Sequence, residues 1–110
     1  MFAIPEKKEC FLTCDFTDKN GDAATPDTAE YRVDDVVQDG RNETTTEIRD
    51  WTSLTPASSI EITLTPTDNL MVDTTKRKET RVVTVVANRG TTHAIPKEYR
   101  YDIRNLVAYP

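Results

Sequence analysis

The sequence contains few of the residues from which enzyme sites are usually built. Its 110 residues include one histidine, two cysteines and three glycines. The glycines at 21, 40 and 90 lie far apart, which excludes a glycine-rich loop that cradles phosphate. The histidine, His93, has no glycine-flanked serine to activate, and we interpret it as a solvated loop residue rather than as the base of a catalytic triad. We therefore expect a protein that is not an enzyme.

The two cysteines lie four residues apart in ECFLTCDF. In a strand, Cys10 and Cys14 are separated by about 13 Å, which is beyond the reach of a disulfide. They share the parity of inward-facing residues, so we expect reduced, buried thiols, as in a reducing compartment. That parity also argues against Cys14 as a nucleophile activated by His93. A metal site would need further thiol or imidazole ligands, and we predict neither a metal nor a cofactor.

Calcium is the alternative that the acidic turns leave open. The segment DKNGD places Asp18, Asn20 and Asp22 at the first, third and fifth positions of an EF-hand loop. The glycine comes two positions early, however, and the twelfth position is Ala29, where a bidentate glutamate is needed. A plain hairpin turn is therefore the interpretation that we favour.

Two further charged stretches are interpreted as solvated loops. The run VDDVVQD has carboxylates at Asp34, Asp35 and Asp39, and calcium held by loops at the end of a sandwich is its alternative. The basic run Lys76 to Lys78 stands on an acidic chain, and docking to an acidic partner is its alternative.

The segment NET at 42–44 matches the N-glycosylation sequon. We expect no secretory signal, since the chain begins with neither a basic leader nor a long apolar run, and treat the sequon as coincidence.

Length and charge restrict the class of protein. A chain of 110 residues predicts one domain, spanning 1–110. The formal net charge of −5 argues against binding to a nucleic-acid backbone, which requires clustered lysine and arginine. No run approaches the ~18 apolar residues of a membrane span. We therefore predict partners that are neither nucleic acid nor membrane.

Strand signals dominate the chain, and helical periodicity is nearly absent. Apolar and polar residues alternate over short runs that are separated by turns, at 8–17, 29–36, 45–54, 59–66, 79–88 and 98–107. In the weaker run 45–54, Ile48 and Trp51 have opposite parity, which is typical of a strand end or a β-bulge. The pattern predicts an all-β fold, an Ig-like or fibronectin-type antiparallel β-sandwich of six to seven strands.

The alternation also predicts the core. We expect the following side chains to lie inside: Leu12, Phe16, Tyr31, Val33, Ile60, Ile62, Leu64, Val83, Val85, Tyr101 and Ile103.

The run RVVTVVA has branched apolar residues on both faces of one strand. Its odd-numbered residues are predicted to face the core, which leaves Val82, Thr84 and Val86 on the outer face and Arg81 at the edge of the strand. The preference of branched side chains for strands explains two exposed valines without any partner. The alternative is that Val82, Thr84 and Val86 form an interface with another subunit or another protein.

The order of short signals along the chain resembles one family. Three stretches, LTCDFTDKNGDAATPDTAEYRVDD, DWTSLTPASSIEITLTPTDN and ETRVVTVVAN, look like small Ig-like virion proteins of tailed bacteriophages and their prophages. The resemblance covers residues ~10 to 108. The piece RVVTVVANRG is also similar to the sixth strand of a fibronectin type III domain, although the usual tyrosine-corner position is not clearly filled.

The resemblance implies a non-enzymatic structural or accessory role, such as a head decoration, neck or tail component. Its partners would be other virion proteins and possibly a second copy of the chain, in a virion assembled in the host cytoplasm. One alternative is a free-standing binding module that recognises a host surface or another partner through its end loops. An enzyme of unfamiliar type is the other.

Overall fold

The computed structural model describes residues 2–73, 75–92 and 94–105 of the chain, and these residues form strands and loops without a helix. Seven strands follow one another: β1 Phe2–Pro5, β2 Cys10–Asp15, β3 Ala29–Asp39, β4 Asn42–Leu54, β5 Ser59–Leu64, β6 Lys78–Ala87 and β7 Ile95–Arg104.

The strands are arranged in two sheets. One sheet has five strands in the order β1-β7-β6-β3-β4, and the other pairs β2 with β5. The prediction of an all-β sandwich of six to seven strands is confirmed. The sheet is mixed rather than wholly antiparallel, because β1 pairs with β7 in parallel. Strand β1 was not predicted, since four residues ending in a proline show too little alternation to reveal a strand.

The hairpin of β3 and β4 is longer than the alternation predicts. Strand β3 continues to Asp39, so the interpretation of VDDVVQD as a solvated loop is wrong. Asp34 and Asp35 are buried, and the side chain of Asp39 lies outside the described ones. The hairpin turns at Gly40, whose φ of 62° suits the first position of a two-residue turn.

Strand β4 contains the irregularity that the parity of Ile48 and Trp51 indicated. Tyr31 pairs with Thr52, but Val33 pairs with Arg49 and Asp34 with Glu47, so β4 has an extra residue at each of these two steps. The prediction of a β-bulge is confirmed. The extra residues allow Ile48 to pack against the core.

The core lies between the two sheets and is built from alternating strand residues. All eleven predicted core side chains are buried. The same cluster also includes Cys10, Cys14, Ala29, Met71 and Ala87. In β6, the odd-numbered residues Val83, Val85 and Ala87 all face the core, as the period of two predicts.

Both cysteines are buried and free, as predicted. They belong to the inward-facing side of β2, and burial raises the pKa of the Cys10 thiol. Because the thiolate is the reactive form, native protein should react with a thiol reagent slowly, and fast only after denaturant is added. Rapid labelling of both cysteines in the native protein would contradict the register of β2 against β5.

Candidate functional site

The predicted interface residues lie on the outer face of β6, away from the core, but they differ in exposure. Thr84 and Val86 are partly exposed, whereas Val82 is only 6% exposed, so the expectation of two exposed valines is wrong for Val82.

A salt bridge crosses the outer face of the sheet beside Val82. Arg100 lies directly beside Val82 on β7, and its guanidinium binds the carboxylate of Glu43 on β4 at 3.0 and 3.3 Å. Strands β6 and β3 lie between these two strands, so the pair reaches across the outer face from the neighbour of Val82 on β7 to β4. The hydrogen bonds from Arg100 lower the pKa of Glu43.

Trp51 lies on the same outer face, on β4, with β3 between it and Thr84 and Val86 of β6. Its ring is covered by the guanidinium of Arg89, 4.4 Å from the ring centroid, and by that of Arg32, 5.7 Å from it. Such cation–π contacts hold an indole in place. Arg32 is the direct neighbour of Thr84 across the sheet, which joins the indole to the predicted residues.

Two carboxylates hold these arginines. Arg32 donates two hydrogen bonds to Asp34, at 2.9 and 2.7 Å, and Arg89 donates one to Glu30 at 2.8 Å. Glu30 is the neighbour of Val86 on β3. We call Trp51, Arg32, Arg89, Thr84 and Val86 the outer-face patch.

A second feature, which the sequence reasoning missed, is a buried charged cluster at the other side of β6. Arg81 is fully buried, and its Nη1 donates to Asp35 at 2.5 Å and to Glu79 at 3.1 Å. The prediction that Arg81 lies at the strand's edge is therefore wrong. Burial raises the pKa of Asp35, and the attraction of Arg81 opposes that rise.

The cluster holds the backbone of one loop, residues 68–73. Arg81 donates to the carbonyl oxygens of Leu70, at 2.5 Å, and Asp68, at 3.4 Å. The Glu79 carboxylate accepts from the backbone N–H groups of Val72, at 2.8 Å, and Asp73, at 2.7 Å. Donors and acceptors of the loop backbone are thus satisfied by charged side chains, which form stronger hydrogen bonds than neutral groups.

Two further residues of the loop anchor it to the sheets. Arg49 binds the carboxylate of Asp68 through Nε, at 3.0 Å, and Nη2, at 3.2 Å. The Asn69 amide accepts from the hydroxyl of Tyr101 at 2.7 Å and donates to the carbonyl of Lys8 at 2.6 Å. Burial raises the pKa of Tyr101, which keeps the hydroxyl protonated as a donor.

The acidic turn around Asp18 uses its carboxylate within the chain. Oδ1 of Asp18 accepts from the backbone N–H groups of Asn20, at 2.8 Å, and Asp22, at 3.1 Å. This arrangement is a local turn closed by its own side chain. Within residues 2–73, 75–92 and 94–105, no group of three or more histidine, cysteine, aspartate or glutamate side chains is placed to hold a metal ion. His93 lies outside these residues.

Comparison with known proteins identifies no relative: no family model, curated protein or solved structure matches the chain. The Ig-like assignment and the resemblance to phage virion proteins therefore stay predictions. The described part of the chain contains no helix that is long and apolar enough to cross a membrane.

Proposed function

We propose that this protein is a non-enzymatic structural or accessory component of a tailed-phage or prophage virion, and that it acts through protein–protein contacts made by the outer-face patch. The resemblance supplies the class of protein, and the patch supplies the place of contact.

The strand order supports the Ig-like part of this proposal. In an Ig sandwich, strands B and E are neighbours in one sheet, and strands G, F and C follow one another in the other. Taken in chain order, β2 and β5 correspond to B and E, while β7, β6 and β3 correspond to G, F and C. The stretches that carry the resemblance contain β5 and overlap β2, β3, β4 and β6.

The composition of the patch is the observation that carries the contact. Tryptophan and arginine are the residues most enriched among those that dominate binding energy at protein interfaces. Here an indole is in contact with two guanidinium groups that are themselves held by Asp34 and Glu30. A patch whose side chains are already fixed loses little conformational entropy when a partner binds.

The test is a double substitution, Thr84→Lys with Val86→Lys, in the host that produces the particles. Val82 is left unchanged because it is buried. Lysine side chains at 84 and 86 leave the core intact but place two charges where a partner must pack, so we expect the amount of protein in purified particles to fall by about tenfold or more.

The matched control is Thr13→Lys with Ser59→Lys, which adds the same charge at two exposed positions of the two-stranded sheet. The control protein is expected to enter particles at the wild-type level. Unchanged incorporation of the Thr84→Lys, Val86→Lys protein, with a thermal melt that shows it to be folded, would exclude the patch as the virion contact.

A further inference from the structure

The 68–73 loop displays two apolar side chains next to each other. Leu70 is 45% exposed and Val72 is 52% exposed, while Met71 between them is buried in the core. Single exposed apolar residues are common on protein surfaces. This pair differs because its backbone is fixed on both sides by the buried charges of Arg81 and Glu79.

That fixation has a consequence for binding. Buried ion pairs are weak contributors to stability, since two charges must be removed from water. Here Arg81 and Glu79 use their hydrogen bonds to set the position of Leu70 and Val72, and a surface that is already ordered loses less entropy on association. The loop is therefore built as a rigid apolar contact.

The end of the sandwich that carries this loop is basic. Strands β2 and β6 begin at this end and β5 and β7 finish at it, as their pairing requires. The segments 6–9, 40–41 and 65–77 and the strand termini beside them have seven basic side chains that are exposed: Lys7, Lys8, Arg41, Lys76, Arg77, Lys78 and Arg104. Their carboxylates outside the buried cluster are Glu6, Glu9, Asp39, Glu43 and Asp73, and seven less five leaves a charge of +2 at this end.

The opposite end is acidic. Its connecting segments and strand termini carry Asp15, Asp18, Asp22, Asp27 and Glu30 against Lys19 and Arg89, and two less five leaves a charge of −3. Ile95, the first residue of β7, lies at this end and is 42% exposed. Each end therefore combines an exposed apolar side chain with charge of one sign, and the signs are opposite.

We infer that the two ends bind each other in successive copies of the chain: Leu70 and Val72 of one copy pack against Ile95 of the next, and the basic and acidic rims attract. Two different surfaces meet, so the contact is head to tail and continues into a ring or an open chain. The inference goes beyond the proposed function, because it concerns the purified protein alone and uses neither Thr84 nor Val86.

Sedimentation of the purified full chain tests this. At about 0.05 M salt, we expect species larger than a dimer as the concentration approaches about 0.5 mM, and dissociation at about 0.5 M salt, where charges are screened. Leu70→Ser with Val72→Ser, or Ile95→Ser alone, should weaken association by about tenfold or more. Phe11→Ser is the control, since Phe11 is 53% exposed but its side chain is on the outer face of the two-stranded sheet and is not part of the 68–73 loop. It should leave association unchanged.

Mixing the two variants decides the geometry. The Leu70→Ser, Val72→Ser protein keeps its acidic end, and the Ile95→Ser protein keeps its apolar loop, so together they should form a dimer that grows no further. A wild-type protein that stays monomeric at every concentration, association that survives the Leu70→Ser, Val72→Ser change, or a mixture that remains monomeric would each overturn the inference. Incorporation into particles is measured separately, so the virion proposal and this one can fail independently.

Discussion

Replacing Arg81 with methionine is expected to destabilise the protein by about 3–5 kcal/mol at neutral pH, because it leaves buried carboxylates without their counter-charge. Asp35 and Glu79 would both lose a hydrogen-bond donor, and the carbonyls of Leu70 and Asp68 would lose theirs. Methionine fills much of the volume of arginine, so the loss reports the charges rather than a cavity. Unfolding in urea, followed by tryptophan fluorescence, measures it.

The matched control is Lys78→Met on the same strand. Lys78 is exposed, and its contact with Asp102 is long, at 3.8 Å. An exposed ion pair of this kind contributes at most about 1 kcal/mol. Equal losses for Arg81→Met and Lys78→Met would mean that the buried cluster does not stabilise the fold as its hydrogen bonds indicate.

The Arg81→Met loss should also depend on pH. Because burial raises the pKa of Asp35, the folded state binds this proton more tightly than the unfolded chain. The corresponding stability is present below the unfolded pKa of Asp35 and is lost as the pH rises through its folded pKa. Without Arg81 the pKa of Asp35 is expected to rise further. The difference in the free energy of unfolding between wild type and variant should therefore shrink as the pH falls from about 7 to about 4. A constant difference would contradict the charge assignment.

Ile62→Ala is expected to cost about 2–5 kcal/mol, the range for removing a large aliphatic side chain from a packed core. Ile62 is almost fully buried and lies opposite Leu12 in the pair of β5 with β2. The control is Phe11→Ala. Phe11 precedes Leu12 on β2 but is on the outer face, so the change in the free energy of unfolding should stay within about 0.5 kcal/mol. A chemical melt in which Ile62→Ala leaves stability unchanged would remove this residue from the core.

The core could be predicted from the sequence because it depends on a local rule. Alternation within a strand assigns every second side chain to one face, and Ile60, Ile62 and Leu64 lie inside as that rule requires. The opposite parity of Ile48 and Trp51 located the irregularity in β4 for the same reason. Both predictions need only the residues of one strand.

The burial of the charged cluster could not be predicted from one strand, because it depends on partners in distant segments of the sequence. Arg81 has the inward parity of Val83, and Asp35 has that of Val33, so the signal was present in the alternation. Charged residues are rarely buried without a partner, however, and the partner carbonyl at Leu70 belongs to a loop that follows another strand. The salt bridge beside Val82 likewise joins two distant residues, Glu43 and Arg100, which lie 57 positions apart.

The most direct test of the proposed function is mass spectrometry of purified particles from the host that encodes this chain. The account predicts that the protein copurifies with the particles in a constant ratio to their major proteins, through density-gradient steps that remove free protein of the same host. Particles that lack the protein, while the protein is abundant in the lysate from which they were purified, would contradict a structural or accessory role in the virion.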